Sequence, residues 1–421
     1  MTIKGKILYV GVVLDKNWLG GEPIIAKDTI DKLRHLGYLV STSYYNETTT
    51  INKNGKLNFL KIFSYSNLRS TYLISDKFNP AVKYYRKIIK KENPDVIIAQ
   101  YDYDTSIIEA AKKENKKIIV YVHIWWPICP IITLYKYNKE ICNGFLSNKC
   151  KECVLHQYNT RTKSSKFVNK MASYALKIVA MLFVRNSNLR VKMKNRIKNL
   201  NFANSIVIYS NQMKNLFSLN GVREEKLSII PNGVDCDEFT TAREQRQKIV
   251  LYAGGNNELK GYRFFIKIAE NIKKTHPEIR FIAAGQFNGS DMNQKCIEYL
   301  GVIEREKLLE LMSISRVTVV PSVWNEPFSM VTIESMASGT PVVAFDVGIL
   351  KEIIGDGVGG FIVDVGNVKK ATEKIIDLLT NDLLFMKISR NARQRACEIY
   401  SNNRRIALLD NLIQNILKSD N

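Results

Sequence analysis

The chain has 421 residues, 45% of them hydrophobic and 24% charged, so its length favours two or three domains and its composition is that of a soluble globular protein. Its longest apolar stretch, residues 171–184, contains Lys177 and falls short of the roughly 20 residues that a membrane-spanning helix needs. The net charge of +22 lies almost wholly in residues 1–235, which hold 38 Lys and Arg against 17 Asp and Glu, and it predicts an anionic partner.

The first half alternates strand and helix patterns, as in a doubly wound α/β sheet. The chain begins with a strand pattern and not with a long apolar region and a cleavage site, so we expect a cytoplasmic protein. After the first strand, Gly20 and Gly21 allow the backbone to approach a ligand closely, although a tight loop without a ligand is the alternative. Strands are predicted at 6–13, 38–43, 95–99, 117–122 and 205–209, and helices at 24–36, 80–92, 105–114 and from 211. Residues 46–75 are polar and irregular, and we expect an insertion or acceptor loop.

His123 directly follows the strand predicted at 117–122. A histidine at the carboxyl end of a parallel strand can face a ligand, although a structural histidine is the alternative. Four of the seven cysteines follow, with the spacing C-x12-C-x7-C-x2-C. In a reducing compartment this cluster favours a structural zinc over disulfides, with free thiols or a redox pair as alternatives. The cysteines are Cys129, Cys142, Cys150 and Cys153.

Residues 161–198 combine eleven Lys and Arg with apolar residues at helical spacing. The pattern predicts a basic amphipathic segment on an anionic membrane surface, and an ordinary domain helix with a solvated basic side is the alternative. Nucleic acid is a less favoured partner, because neither a stacking-aromatic motif nor a finger pattern accompanies the charge.

A second alternating set begins after residue 235, with strands at 249–253, 279–284, 317–320 and 342–345 and helices at 262–275 and 304–314. Lys260 lies in the glycine-containing loop 254–261, which suits an anionic phosphate. The last region, 384–417, is predicted to be helical and amphipathic.

The stretch 321–341 lies between two of these strands and must form a loop and a short helix, which Gly339 and Pro341 end. Glu326 lies before this helix and Glu334 about two turns inside it. The amides of Ser329, Met330 and Val331 fall where a helix N-terminus leaves donors unpaired, which predicts an anion site. The alternative is that Glu326 only complements the helix dipole and Glu334 is solvated.

The string from Glu326 to Glu334 resembles the E-x7-E signature of the retaining nucleotide-sugar glycosyltransferases of family 4, also called glycosyl transferases group 1. The resemblance continues through residues 338–343 and 360–364, and the sequence PNGVD at 231–235 resembles the family's hinge. The segment HIWWP at 123–127 resembles the family's His-Asp-x-Trp-x-Pro, with Ile124 in place of Asp. The resemblance implies the GT-B fold, in which two Rossmann-like doubly wound domains face each other across a cleft.

Three domain segments are therefore expected. Residues 1–226 form an acceptor-binding domain with a cysteine-bearing insertion at about 124–160 and the basic segment 161–198. Residues 227–400 form the nucleotide-sugar domain, and the helix in 401–421 returns to the first domain.

The resemblance also implies roles for individual residues. Lys260 and the three amides stabilise the departing diphosphate, and Glu334 binds the ribose hydroxyls. Glu326 holds the donor sugar with Phe328 close by, and His123 faces this sugar from the first domain. Glycines at 20, 21 and 255 line the donor site, and no metal is required for catalysis.

Three positions depart from the family pattern. Gly255 stands where the family has an arginine, so we expect either that Arg263 or another cation replaces it or that the leaving group is held more weakly. Ser329 stands where the family usually has glycine, and Ile349 replaces the second glycine of Gly-Gly-x-x-Glu.

The expected activity is retaining transfer of a sugar from a UDP- or GDP-linked donor to a glycan or lipid-linked acceptor at the cytoplasmic face of the membrane. An inactive basic adaptor that binds membrane or RNA is one alternative, and a sugar-nucleotide epimerase or inverting transferase is another. A hydrolase pair is disfavoured, because a glycosidase has no need of a phosphate site between its two acids.

Overall fold

The computed structural model describes residues 3–10, 21–43, 80–100, 105–137, 139–145, 150–162, 186–239, 246–287, 292 and 294–419. Gly20, the loop predicted at 46–75 and residues 163–185 of the basic segment lie outside these ranges. The chain forms two compact units, residues 1–230 with 409–421 and residues 231–408.

The first unit contains a six-stranded sheet whose paired strands are all parallel, in the order β2-β1-β3-β4-β5-β6. Its strands are β1 (Gly5–Val10), β2 (Tyr38–Ser43), β3 (Val96–Gln100), β4 (Lys117–Tyr121), β5 (Ser205–Ile208) and β6 (Leu227–Ile229). Its helices are α1 (Gly21–His35), α2 (Pro80–Glu92), α3 (Ser106–Lys113), α4 (Cys150–Thr162), α5 (Asn186–Leu200) and α6 (Asn211–Leu219). All residues of β3 and β5 are buried, as expected for a parallel sheet covered on both faces.

The second unit contains another parallel sheet, in the order β12-β11-β10-β7-β8-β9. Its strands are β7 (Gln247–Ala253), β8 (Arg280–Ala284), β9 (Glu298–Gly301), β10 (Ser315–Val320), β11 (Val342–Phe345) and β12 (Gly360–Val363). Its helices are α7 (Tyr262–Lys273), α8 (Arg305–Ile314), α9 (Met330–Ala337), α10 (Leu350–Ile354), α11 (Val368–Thr380) and α12 (Asp382–Ile399), and α13 (Asn402–Lys418) begins here and continues into the first unit.

The strand order identifies the ligand-binding edge of the second sheet. Strands β7, β8 and β9 extend to one side of the sheet, and β10, β11 and β12 extend to the other. This is the Rossmann order, and its direction reverses between β7 and β10, where α/β sheets bind ligands at the carboxyl ends of the strands. The prediction of two Rossmann-like doubly wound domains is confirmed.

The chain leaves the first unit at Ile230, four residues after the boundary expected from sequence. The segment Leu227–Ile229, which begins the nucleotide-sugar domain expected from sequence, is β6 of the first unit and pairs with β5. At the other end, the predicted helical region 384–417 forms two helices, because the helical conformation is interrupted at Tyr400 and Ser401.

The end of α13 contacts the rest of the first unit, to which it belongs, through polar groups. The ammonium group of Lys4 lies 3.1 Å from Asp410, and the Tyr38 hydroxyl donates to the same carboxylate at 2.6 Å. Lys117 donates to the carbonyl of Ile416 at 2.7 Å, near the helix C-terminus, where a cation is favoured.

The start and the end of the second unit are bonded to each other. The amide of Val234 donates to the Tyr400 carbonyl at 2.8 Å, and the amide of Asn402 returns a bond to Val234 at 2.9 Å. A disulfide joins Cys236 to Cys397 in α12, 161 residues later. Sequence reasoning missed this disulfide, since it considered only the cysteine cluster of the first half.

Among the described helices, none has the length and hydropathy of a membrane-spanning segment.

Candidate functional site

The loops after β7 and β10 meet at the switch point of the second sheet. A 3-10 turn, Glu258–Lys260, follows β7, and the stretch 321–329 follows β10 and leads into α9. The amide of Val323 donates to the Leu259 carbonyl at 2.9 Å, so the two loops are bonded directly. This bond brings the lysine of one loop to the acid of the other.

Glu326 and Lys260 form an ion pair in which the ammonium nitrogen lies 2.7 Å from Oε1. The other carboxylate oxygen accepts from the Ser322 hydroxyl and from the Trp324 indole, both at 2.9 Å. Glu326 is only 2% exposed, so three donors compensate the cost of burying its charge. The alternative that Glu326 merely complements a helix dipole is therefore wrong.

The N-terminus of α9 lies beside this pair. Ser329 is the N-cap, and its hydroxyl accepts from the amide of Thr332 at 3.3 Å. A cavity of about 240 Å³ is lined by Lys260 from one loop and by Phe328, Ser329, Met330 and Val331 from the other. A lysine and the start of a helix thus line one cavity, the arrangement that binds anions such as phosphate.

Glu334 is buried inside α9 and pairs with an arginine that the sequence did not reveal. Its Oε1 accepts from Nε of Arg305, the first residue of α8, at 3.1 Å, and Arg305 also donates to Glu238 at 2.9 Å. Burial raises the pKa of Glu334, and the charge of Arg305 opposes this effect. Glu334 is 6% exposed, so the solvated alternative is wrong for this residue as well.

Two arginines bind the carbonyl groups at the other end of α9. Arg246 donates to the carbonyl of Ser338 at 2.5 Å, and Arg393 donates to that of Ala337 at 2.5 Å. Gly339 has φ 72° just after the C-cap Ser338, so the predicted end of the helix is confirmed. Cations at the C-terminus complement the helix dipole and help to fix the helix whose other end lines the cavity.

Comparison with known sequences bears on what this site does. The profile described as "Glycosyl transferases group 1" matches residues 236–395, and "Glycosyltransferase Family 4" matches residues 63–238. The chain belongs to the group 1, family 4 glycosyltransferases. The site at the switch point lies within the first of these matches.

Individual relatives match only part of this chain. The MMP alpha-(1->4)-mannosyltransferase of Mycolicibacterium hassiacum is 29% identical over 192 residues, 43% of this chain and 46% of that protein. The phosphatidyl-myo-inositol mannosyltransferase of Mycobacterium leprae is 26% identical over 167 residues, 37% of this chain and 45% of that protein. The chain thus spans about half the length of the curated relatives that it matches.

The fold has a wider match than the sequence. Anabaena HepE, solved in complex with UDP-glucose, has a TM-score of 0.63 at 16% identity and covers 97% of this chain and 99% of its own. At this identity the likeness shows the GT-B fold alone.

Two family departures have a structural reason. Gly255 has φ 60°, and a Cβ there would lie 2.5 Å from the Gln286 carbonyl, so this loop cannot hold the family's arginine without a backbone change. Gly348 has φ 55°, and a Cβ would lie 2.1 Å from the Glu326 carbonyl, whereas Ile349 has φ −77° and needs no glycine. The amide of Ile349 donates to the Glu326 carbonyl at 3.0 Å, so Gly348 is the glycine that the site requires.

Arg263, one expected substitute for the missing arginine, does not line the cavity beside Lys260. This side chain is exposed at the start of α7, and its guanidinium lies 4.7 Å from the ring centre of Phe264. Arg305, which bonds Glu334, is a cation of this unit that sequence reasoning missed. No local sequence pattern could have predicted that Arg305 bonds Glu334, because α8 and α9 are separated in the chain and come together only in the folded unit.

The first unit places His123 just beyond β4, 7% exposed. Its Nδ1 is hydrogen-bonded to the Tyr209 hydroxyl, and its ring stacks on Tyr121 at 5.9 Å. Burial lowers the pKa of His123 to about 3, so the imidazole is neutral at physiological pH. Its Nε2 is buried and has no partner in the described part of the chain.

Gly21, the second glycine of the predicted ligand loop, is the first residue of α1.

The four clustered cysteines line one cavity of about 20 Å³ in the first unit. Burial raises the pKa of Cys129 to about 11 and that of Cys150 to about 12, so a thiolate at either position requires a positive partner.

The described part of the basic segment includes α5. One of its cations, Arg196, is 5% exposed and donates to the Trp126 carbonyl at 2.9 Å, so it belongs to the core and not to a basic surface.

Proposed function

We propose that the protein is a retaining glycosyltransferase that uses a nucleoside diphosphate sugar. The observation that carries this proposal is the combination of Lys260 with the N-terminus of α9 around one cavity at the sheet's switch point. A departing diphosphate is an anion, and these groups stabilise an anion without a metal ion. We therefore propose that transfer needs no metal cofactor and persists in a chelator.

Each acid then has a distinct role toward the donor. Glu326, held by Lys260, Ser322 and Trp324, is positioned to accept a hydrogen bond from a sugar hydroxyl. Glu334 accepts from the ribose hydroxyls while Arg305 holds its carboxylate through a bond of 3.1 Å. Replacement of Glu334 by Gln should weaken binding of the free nucleoside diphosphate in calorimetry, and unchanged affinity would remove the ribose role.

His123 is proposed to face the donor sugar from the first unit. Its unpartnered Nε2 supports this proposal, since a buried ring nitrogen without a partner gains a hydrogen bond when a hydroxyl reaches it. Phe328 lines the cavity beside Lys260, and Gly255 shapes the loop that carries Lys260, so both contribute to donor binding. The same role is proposed for Gly20 and Gly21.

The donor is proposed to be linked to UDP or GDP, and UDP is supported by the complex of HepE with UDP-glucose. Purified protein should be screened with UDP- and GDP-sugars for binding and turnover, and the anomeric configuration of the product read by NMR. Retained configuration supports the proposal, whereas inversion or epimerised donor identifies the rival activities. Absence of binding to every donor would favour an adaptor.

The acceptor is proposed to be a glycan or a lipid-linked glycan at the cytoplasmic face of the membrane. The relative named as a phosphatidyl-myo-inositol mannosyltransferase supports a lipid-linked acceptor. A basic cavity of about 530 Å³ in the first unit, lined by Lys194, Lys198 and Arg223, supports an anionic surface or acceptor, and nucleic acid remains the less favoured partner. Flotation with vesicles of anionic and of zwitterionic lipid tests the membrane part, and failure to float with anionic vesicles would refute it.

A further inference from the structure

The segment between β4 and α4 buries large side chains without regular secondary structure. In its described residues, 122–137 and 139–145, the isolated β-bridge is between Tyr135 and Ile141, and other backbone hydrogen bonds belong to turns and loops. Trp125 and Trp126 are 0% and 2% exposed. Leu134, at φ 48°, lies in the left-handed region that costs a non-glycine residue energy. Such a segment needs a further source of order, which in proteins is often a crosslink or a metal ion.

Four thiols from this segment and from the start of α4 lie close to one another. Cys129 lies in the turn after the tryptophans, Cys142 follows the isolated bridge, and Cys150 and Cys153 lie one turn apart at the start of α4. All four line one cavity of about 20 Å³. A space of about 10–15 Å³ already admits one water-sized sphere, so this cavity has room for a single ion.

The groups around the sulfurs also suit a cation ligand set. The amide of Leu134 donates to Sγ of Cys129 at 3.4 Å, the kind of outer bond that orients a metal-binding thiolate. Lys136 also lines the cavity, and its ammonium group pairs with Glu140 at 3.2 Å. Cys142 donates its S–H to the Gly144 carbonyl at 3.4 Å, a bond that loss of the proton would break.

Disulfides are not the arrangement found here. All four thiols are free, while Cys236 and Cys397 are bonded to each other in the second unit. In the described residues no group of three or more His, Cys, Asp or Glu is already arranged to hold a metal ion. Binding of an ion would therefore require the four sulfurs to move closer together across the small cavity.

We propose that Cys129, Cys142, Cys150 and Cys153 bind one structural zinc ion in a closed tetrahedral site. Four S–H bonds are lost, four Zn–S bonds of about 2.3 Å form, and four protons leave to solvent without electron transfer. With four protein ligands the ion has no open position, so it fixes the segment after His123 and takes no part in sugar transfer.

The test begins with the unmodified full chain, purified without a histidine tag or added metal. Elemental analysis should find about one zinc per chain, and an organomercurial should release it to a metal-sensitive dye. Cobalt substituted for zinc should show the intense visible absorption of a four-thiolate tetrahedral site. Neither measurement needs an active enzyme.

Variants assign the ligands. The variants Cys142→Ser and Cys150→Ser should lose the stoichiometric zinc, whereas Cys296→Ser, a free cysteine of the second unit, should keep it. Wild-type protein without zinc, an iron chromophore in place of zinc, or mass spectrometry that finds disulfides among the four cysteines would each overturn the proposal. All three of these results are measured on the wild-type protein, so the proposal can be refuted even if a variant fails to fold.

Discussion

Replacement of Lys260 by Met should lower both the free energy of unfolding and the rate of sugar transfer, and the two effects can be measured separately. The lysine side chain is 35% exposed, but its partner Glu326 is 2% exposed and would lose the donor on Oε1. Removing one partner of a fully buried ion pair costs about 3–5 kcal/mol. Here Ser322 and Trp324 still bond the other oxygen, and water reaches the lysine position. We therefore expect the free energy of unfolding to fall by about 1–3 kcal/mol.

The effect on transfer should be larger than the effect on stability. If the ammonium group stabilises the departing diphosphate, its loss should lower kcat/KM about 100- to 1,000-fold, as removal of a comparable donor does in other enzymes. The variant Glu326→Gln separates the two partners further. It releases Lys260 from its ion pair, so the free nucleoside diphosphate should bind as well as before or more tightly, while transfer falls.

The assay is a double-mutant cycle of wild type, Lys260→Met, Glu326→Gln and the double variant. Urea unfolding gives the coupling free energy, calorimetry gives nucleoside diphosphate affinity, and labelled donor gives the rate. The control is Lys248→Met, because Lys248 is an exposed lysine whose nearest carboxylate, that of Glu278, is 3.9 Å away. A coupling below about 0.5 kcal/mol, with unchanged diphosphate affinity in Lys260→Met, would refute the reasoning.

Three further predictions concern other parts of the molecule. The variant Arg305→Gln should lower the free energy of unfolding by about 1–3 kcal/mol and raise the KM for the donor, because buried Glu334 loses its cation. Since burial raises the pKa of Glu334, this loss should be greater at pH 8 than at about pH 5, where the carboxyl binds a proton more readily. The variant His123→Asn should reduce the loss of stability on acidification. The pKa of His123 in the folded protein, about 3, lies below the usual 6.5. Between these pH values the unfolded chain binds a proton that the folded protein does not, so the free energy of unfolding decreases by up to about 1.4 kcal/mol for each unit by which the pH is lowered. The double variant Cys236→Ser with Cys397→Ser should lose about 2–4 kcal/mol, because the disulfide closes a long loop in the unfolded chain.

Each of these has its own control and contrary outcome. Arg280→Gln removes an exposed pair with Glu298 and should change stability by less than about 1 kcal/mol. Equal losses for Arg305→Gln at both pH values would contradict the electrostatic account. An unaltered pH slope in His123→Asn would mean that the imidazole titrates normally. Reduction by dithiothreitol should destabilise the wild type but not the double variant, and seven reactive thiols in unreduced wild type would show that the disulfide is absent.

The sequence predicted the sheet framework well because each strand signal is local. A buried parallel strand such as β10 or β11 is a short run of β-branched residues, and the helix between them has a local stop signal at Gly339 and Pro341. Strands β6, β9 and β12 were not predicted, because runs of three or four residues carry too little pattern to distinguish a strand from a loop.

The site was predictable only where its residues share one loop. Glu326 and the start of α9 are close in the chain, and Lys260 lies in a loop with a family pattern. Arg305 reaches Glu334 from another helix, and Cys236 meets Cys397 across 161 residues. Such pairs depend on how helices and strands pack against one another in the fold. A single sequence does not specify this packing when neither residue of the pair lies in a recognisable pattern.

The bonds at Val234 and the nearby disulfide make the second unit an insertion with joined ends. The two parts of the first unit, 1–230 and 409–421, are connected through 178 residues that fold elsewhere. If residues 231–408 were unfolded, α13 would be attached by a long flexible tether and its effective concentration near β1 would be low. When the second unit folds, the chain segments at its start and at its end lie next to each other, so the tether becomes short. The bonds of Lys4 and Tyr38 to Asp410 should therefore form after the second unit folds, which gives the two units an order of assembly.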